Sequence, residues 1–201
     1  MNENPGTSSA PVALLIIDML NLFDFEGGAA LCASATRCAP VIARLRSRFD
    51  DVGAPVIYVN DNFAQWQGDF RDLVALCAAA DGPSAVIARR LLPLSGHYHV
   101  LKPKHSAFVG TPLRFLLDSL GVRRLVLSGI AADSCILATA NDANMREFDL
   151  WVPGDAVAAI SKGRKANALA LIPCFIACVR RDQGTTRALR GFRGYRLAGT
   201  S

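Results

Sequence analysis

Several protein classes leave no mark on this chain of 201 residues. Its six cysteines (Cys32, Cys38, Cys77, Cys135, Cys174 and Cys178) form no CxxC pair and no zinc-finger spacing. A chain this long and apolar needs no disulfide framework, so the thiols point to a reduced, cytoplasmic setting. No apolar run reaches the roughly 20 residues that span a bilayer. The opening MNENPGTSSAP lacks the basic and apolar regions of a signal peptide. No GxGxxG follows the first apolar run, which removes the dinucleotide-binding signal. Leu20 stands two residues after Asp18, so the second carboxylate of a DxD phosphatase is missing. There is no internal repeat, low-complexity tract or linker. Residues 1–11 are expected to form a flexible tail and 12–201 a single domain.

What is present is apolar and mildly basic. Hydrophobic residues make up 51% of the chain, which calls for a well-covered interior or an oligomer interface. The formal net charge is +5, densest at Arg180, Arg181, Arg187, Arg190, Arg193 and Arg196. No aromatic residues interleave in a recognised nucleic-acid pattern, so a nucleic-acid partner is not expected.

Apolar runs alternate with helical patterns along the whole length. VALLII at 12–17 ends in Asp18 and reads as a buried parallel strand. After a Phe-rich loop, Val41, Ile42, Leu45 and Phe49 mark a helix. Pro40 suits that helix's first turn, which would leave 29–38 as a separate turn. Strands are predicted at 54–59, 98–102, 125–127, 150–152 and 176–179, with helices at 72–80, 112–120 and 162–171. The segment 86–92 fits either a short strand or a helix. The predicted fold is α/β, a doubly wound, mainly parallel six-stranded sheet with helices on both faces.

The chain is organised around RLVLSGIAADSCILATANDA at 124–143. A short apolar strand ends at Ser128-Gly129, and Ile136, Leu137, Ala140 and Ala143 begin a helix with Asp133 or Ser134 as its N-cap. Cys135 falls in the first turn, where free backbone N–H groups favour a thiolate and can hold an oxyanion. Ligands in open α/β sheets bind beyond the carboxyl ends of the strands. Asp18, Lys102 and Cys135 all fall at such ends. A carboxylate to move protons, an ammonium to lower the thiol pKa and a sulfur to attack form an intelligible set.

LLIIDMLNLF, LKPKHSAFVGTPL and LSGIAADSCILATANDA together resemble the isochorismatase-like cysteine hydrolases, over about residues 12–179. That family includes nicotinamidases, carbamoylsarcosine amidases and ureidoacrylate hydrolases. The resemblance implies a catalytic triad at Asp18, Lys102 and Cys135, with Lys102 chosen over Lys104 by its distance from Ser106-Ala107-Phe108. It also implies a cis peptide at Ile130–Ala131, which aims the N–H groups of Ala131 and Cys135 into an oxyanion hole. The chain departs from the family pattern as well. Nicotinamidases carry an Asp-x-His metal site after strand two, where this chain reads Asn60-Asp61-Asn62-Phe63. No metal or other cofactor is expected, and nicotinamide is disfavoured. His97 and His99 alternate onto one strand face, as packing or surface residues more often than ligands. Isochorismatases proper usually have glycine in place of the cysteine, which disfavours vinyl-ether hydrolysis. Ala132 replaces a threonine common in relatives and removes one hydroxyl from the elbow.

The expected activity is hydrolysis of a C–N bond in a small non-peptide amide, carbamoyl or ureido compound, through a thioester on Cys135. Phe23, Asn62, Phe63, Trp66 and Phe108 are candidates for the substrate wall, with core packing the alternative for the phenylalanines. Asp61 is a looser candidate for orienting substrate or water. The expected partners are a small-molecule substrate and further copies of the chain in a homo-oligomer, with no membrane. The rival reading is a catalytically silent member kept as an oligomeric or regulatory scaffold.

Overall fold

Five strands register side by side in the order β3-β2-β1-β4-β5, all parallel. They are β1 Val12–Ile17, β2 Val56–Asp61, β3 Tyr98–Lys102, β4 Arg124–Gly129 and β5 Asp149–Trp151. The computed structural model describes residues 11–62 and 67–172. The strand expected at 176–179 and the basic C-terminal segment lie outside the described residues.

β1 shows why VALLII has no polar face. Val12, Leu14 and Ile16 pack into one apolar cluster, and Ala13, Leu15 and Ile17 into a second on the other side. A strand covered on both faces reads as a continuous apolar run. The first cluster is closed by α1 Gly28–Asp51, α2 Phe70–Ala79 and α3 Pro83–Arg90. The second is closed by α4 Leu113–Ser119, α5 Leu137–Met145 and α6 Lys162–Leu171. The sheet is therefore doubly wound. The chain moves outward from β1 through β2 to β3, then crosses back to lay β4 along the other edge of β1. That reversal is the topological switch point, where ligand sites form.

Three local expectations are corrected. Residues 29–38 are not a separate turn, because α1 runs unbroken through Pro40. A proline inside a helix removes one ladder bond. Leu31, Cys32, Ala35 and Cys38 before it, and Ile42, Leu45 and Phe49 after it, share one buried face that carries the helix on. The open segment 86–92 resolves into α3, with Gly82 at the N-cap and Pro83 in the first turn. The helix predicted from Pro112 begins at Leu113, whose N–H is taken by Thr111 Oγ1 at 3.2 Å.

His97 and His99 are packing residues. His97 stacks on Tyr58 with ring centroids 5.7 Å apart and places Nε2 2.8 Å from Asp50 Oδ1. His99 stacks on Phe70 at 4.7 Å.

Candidate active site

Strand order brings Asp18, Lys102 and Cys135 together at one edge. β1 is flanked by β2 and β4, so its last residue faces the carboxyl ends of both. Asp18 follows directly, with a left-handed φ of 54°, and its N–H bonds to the Val59 carbonyl at 2.8 Å. This backbone region is uncommon outside glycine but tolerated by aspartate, and it turns the carboxylate back across the strand ends. β3 ends on Lys102, in register with Asp61 of β2. Beyond β4, the cis Ile130–Ala131 peptide leads into a single wide π-turn, Ala132–Ile136, that carries Cys135.

The side chains meet at hydrogen-bonding distance. Lys102 Nζ lies 2.9 Å from Asp18 Oδ2, 3.5 Å from Cys135 Sγ and 3.8 Å from Asp61 Oδ2. The other carboxylate oxygen of Asp18, Oδ1, accepts the Asp61 backbone N–H at 2.8 Å. Lys102 is fully buried, Asp18 is 5% exposed and Cys135 is 8% exposed. An ammonium and a carboxylate removed from water this completely persist only because each is the other's partner.

Burial also sets the protonation states. It raises the Asp18 carboxyl above its usual range, against the opposing pull of Lys102. Burial alone would make Lys102 a weaker base, but the combined attraction of Asp18, Cys135 and Asp61 outweighs it and holds the ammonium above its ordinary value. The Cys135 thiol is pushed up to about 12, first by burial and then by the Asp18 carboxylate, with Lys102 pulling the other way. This corrects the expectation that the helix start and Lys102 make Cys135 a resting thiolate. With these groups acting alone, the sulfur is favoured as a thiol beside the Asp18–Lys102 pair.

The elbow differs from the simple strand-turn-helix picture. Neither Asp133 nor Ser134 caps it: Ala131 holds the N-cap position without a side-chain bond, and α5 proper starts at Leu137. Asp133 instead pairs with Arg164 of α6, and Ser134 Oγ faces His105 Nδ1 at 3.2 Å. Ala132 is buried, and its N–H bonds to the Ala158 carbonyl at 2.8 Å, so the smaller side chain leaves the backbone anchored.

The other candidates divide. Asn62 is tied to the site by its N–H to the Lys102 carbonyl at 3.1 Å. It also lines a cavity of about 460 Å³ with Asp61, Asp69, Asp72 and Leu101. Phe23 packs in the α1-side core, across the sheet from the cluster holding Cys135. Phe108 stacks on Phe148 at 5.8 Å, with the Arg146 guanidinium 5.0 Å over its ring. Both phenylalanines take part in core packing. Phe63 and Trp66 lie outside the described residues. One residue escaped the sequence reading: His105, exposed on the loop after β3, has Nδ1 3.8 Å from Cys135 Sγ. Its position three residues after Lys102 was the available signal. Among the described residues, no cluster of three or more His, Cys, Asp or Glu side chains could hold a metal ion. No helix among them is long and apolar enough to cross a membrane.

Residues 12–183 match the isochorismatase domain family. The chain is 38% identical over 165 residues to the isochorismatase family protein YaaI of Bacillus subtilis, covering 82% of this chain and 90% of that one. It is 29% identical over 163 residues to the ureidoacrylate amidohydrolase RutB of an Enterobacter strain, covering 68% and 70% of the two chains. It superposes on the N-carbamoylsarcosine amidase of Thermoplasma acidophilum with a TM-score of 0.60 and 26% identity, covering 82% and 94%.

Proposed function

The chain belongs to the isochorismatase family, and from that premise we propose that it is a cysteine-dependent amidohydrolase. Its substrate class is a small non-peptide amide, carbamoyl or ureido compound. The observation that carries this reading is the convergence of Asp18, Lys102 and Cys135, with Lys102 Nζ 2.9 Å from the carboxylate and 3.5 Å from the sulfur. Relatives named as a ureidoacrylate amidohydrolase and an N-carbamoylsarcosine amidase support the substrate class.

The protons move as follows in this reading. Asp18 takes the S–H proton of Cys135 as a carbonyl group displaces water from above the sulfur, and the thiolate attacks the carbonyl carbon. The N–H groups of Ala131 and Cys135 receive the developing oxyanion. Protonated Asp18 then gives its proton to the departing nitrogen, the C–N bond breaks, and a thioester remains. Water attacks the thioester and loses its proton to Asp18; the C–S bond breaks and the sulfur regains a proton. Lys102 stays an ammonium throughout and offsets negative charge as it passes between carboxylate and sulfur. Because burial weakens Asp18 as an acid, it is better matched to return the proton near neutral pH than an ordinary aspartate.

The test is ammonia release from a panel of small amides and ureido compounds, with Cys135→Ala as control. Turnover of at least one compound that vanishes in the variant is the expected result. No release from any compound, with Cys135→Ala indistinguishable from the parent in cells, would favour a silent scaffold instead.

A further inference from the structure

The proton path above involves Asp18 and Lys102 and gives no role to two polar side chains that also stand beside Cys135. These are His105 and Ser134. His105 Nδ1 is 3.8 Å from Sγ and 3.2 Å from Ser134 Oγ, which is itself 3.9 Å from Sγ. The three atoms form a closed triangle. Lys102, itself fully buried, lies 3.5 Å from Sγ. Asp18 hydrogen-bonds the thiol but also accepts the Asp61 N–H on one oxygen and Lys102 on the other. A thiol with its main acceptor so engaged has a second acceptor within reach.

We propose that His105 is a further catalytic residue, a second proton acceptor for the Cys135 thiol, and that Ser134 holds its ring in line with the sulfur. The S–H proton passes to Nδ1, the sulfur keeps the electron pair, and a thiolate–imidazolium pair results with nothing oxidised. The thiolate then stands beside two cations, Lys102 and His105. This rests on reading Cys135 as the nucleophile, and adds a partner to it besides Asp18.

The elbow turn presents Cys135 and Ser134 to His105, and beside the sulfur stand Lys102 and Asp18. Lys104 is the chain neighbour of His105. Nearby acids are engaged elsewhere: Asp133 by Arg164, and Asp142 by Ser106 and Arg146.

Iodoacetamide tests this without knowledge of the substrate, because it alkylates the thiolate and releases iodide. Peptide mass spectrometry would follow modification of Cys135 from pH 5 to 9.5 in the parent, His105→Gln, Ser134→Ala and Asp18→Asn proteins. In the parent, the rate at pH 7 should exceed that of His105→Gln at least tenfold. His105→Gln should react only as the pH climbs toward the thiol's own range. Ser134→Ala should fall between the two, and Asp18→Asn should still outpace His105→Gln at pH 7. A His105→Gln profile that overlays the parent's, or a parent Cys135 that resists alkylation below pH 9, overturns the proposal. The hydrolase reading is judged apart from it. Ammonia release that depends on Cys135, with overlaid alkylation profiles, removes the role of His105 alone. His105-dependent alkylation with no turnover removes the hydrolase and leaves the pair.

Discussion

In the proposed mechanism Asp18 carries three demands at once: a left-handed backbone, a buried charge and a mobile proton. The first two are met by its neighbours. The Val59 carbonyl takes its N–H, the Asp61 N–H and Lys102 take its oxygens, and the Asp61 carboxylate raises its pKa slightly further. Asp18→Asn removes the base and leaves Lys102 buried without its counter-charge, so turnover should drop by about 10²–10⁴. Stability should fall by about 3–5 kcal/mol as well, and urea unfolding separates that loss from the catalytic one. Asp61→Asn is the finer probe, since the bond to Asp18 comes from backbone and survives the change. Removing a nearby negative charge favours the Asp18 carboxylate, so the acid limb of the rate–pH profile, which lies above the ordinary value of 3.8, should move to lower pH. A limb that stays in place or moves up would show that Asp18 is not the titrating group. At this scale Asp18, Lys102 and Cys135 were legible because each ends or follows an apolar strand run, a signal held in local sequence. His105 was not, because it lies on an exposed loop with no periodicity, and only folding brings it to a sulfur 30 residues away. Phe23 and Phe108 show the converse: the same aromatic ring suits a pocket wall or a core, and composition does not distinguish them.

Among the elements, the β4-to-elbow passage is the most constrained. Gly129 has φ 114°, and a Cβ built there would sit 2.0 Å from the Ile17 carbonyl oxygen. The clash is with backbone of the strand that delivers Asp18, so no side-chain rotation relieves it. Gly129→Ala should therefore push β4 away from β1 at the residues that position both the carboxylate and the thiol. The expected outcome is a loss of about 2–4 kcal/mol, in the range of severe single-site changes, together with loss of turnover even below the melting transition. Thermal unfolding and assays at low temperature check both halves, and a fully active, stable variant would refute the close approach. The sequence marked Ser128-Gly129 as the end of a strand but held no sign of the 2.0 Å contact, which depends on the register of Ile17 with Gly129. Pro40 misled for a related reason. Local helix rules stop or start a helix at proline, whereas α1 continues because its apolar stripe on both sides of the proline lies against the sheet. The elbow's π-turn was equally hidden, since Asp133 and Ser134 are good caps by type and were drawn instead to Arg164 and His105.

For the whole molecule, alternation of strand and helix was enough to foresee a doubly wound parallel sheet, and the strand order followed only from the coordinates. That order buries charged and sulfur-bearing groups alike, which gives the protein a distinctive response to alkali. Cys38 on α1 has its thiol pushed up to about 12, and Cys77 on α2 to about 11, with burial the first cause in each. Their unfolded value is 9.0. A folded pKa above the unfolded one means that the native state holds its proton where the unfolded chain releases it. The stabilisation is therefore complete below pH 9 and is lost as pH rises through the folded values near 11 and 12. Each thiol contributes a slope of about 1.4 kcal/mol per pH unit inside that window. Lys102, also held above its ordinary value, adds to the same trend at the upper end. Urea unfolding should accordingly give a stability that does not change through these thiols between pH 7 and 8, then falls steeply from pH 9 to 10.5. Cys38→Ala with Cys77→Ala lowers stability at every pH by the packing lost, yet should flatten the alkaline slope, because these two thiols no longer titrate on unfolding while Cys32, Tyr58 and Lys102, also held above their ordinary values, still do. The slope is the diagnostic quantity, since a packing defect shifts the whole curve and leaves its steepness unchanged. An undiminished slope in the double variant would mean that those two sulfurs reach water in the native state, and that α1 and α2 cover the sheet less completely than the structure describes.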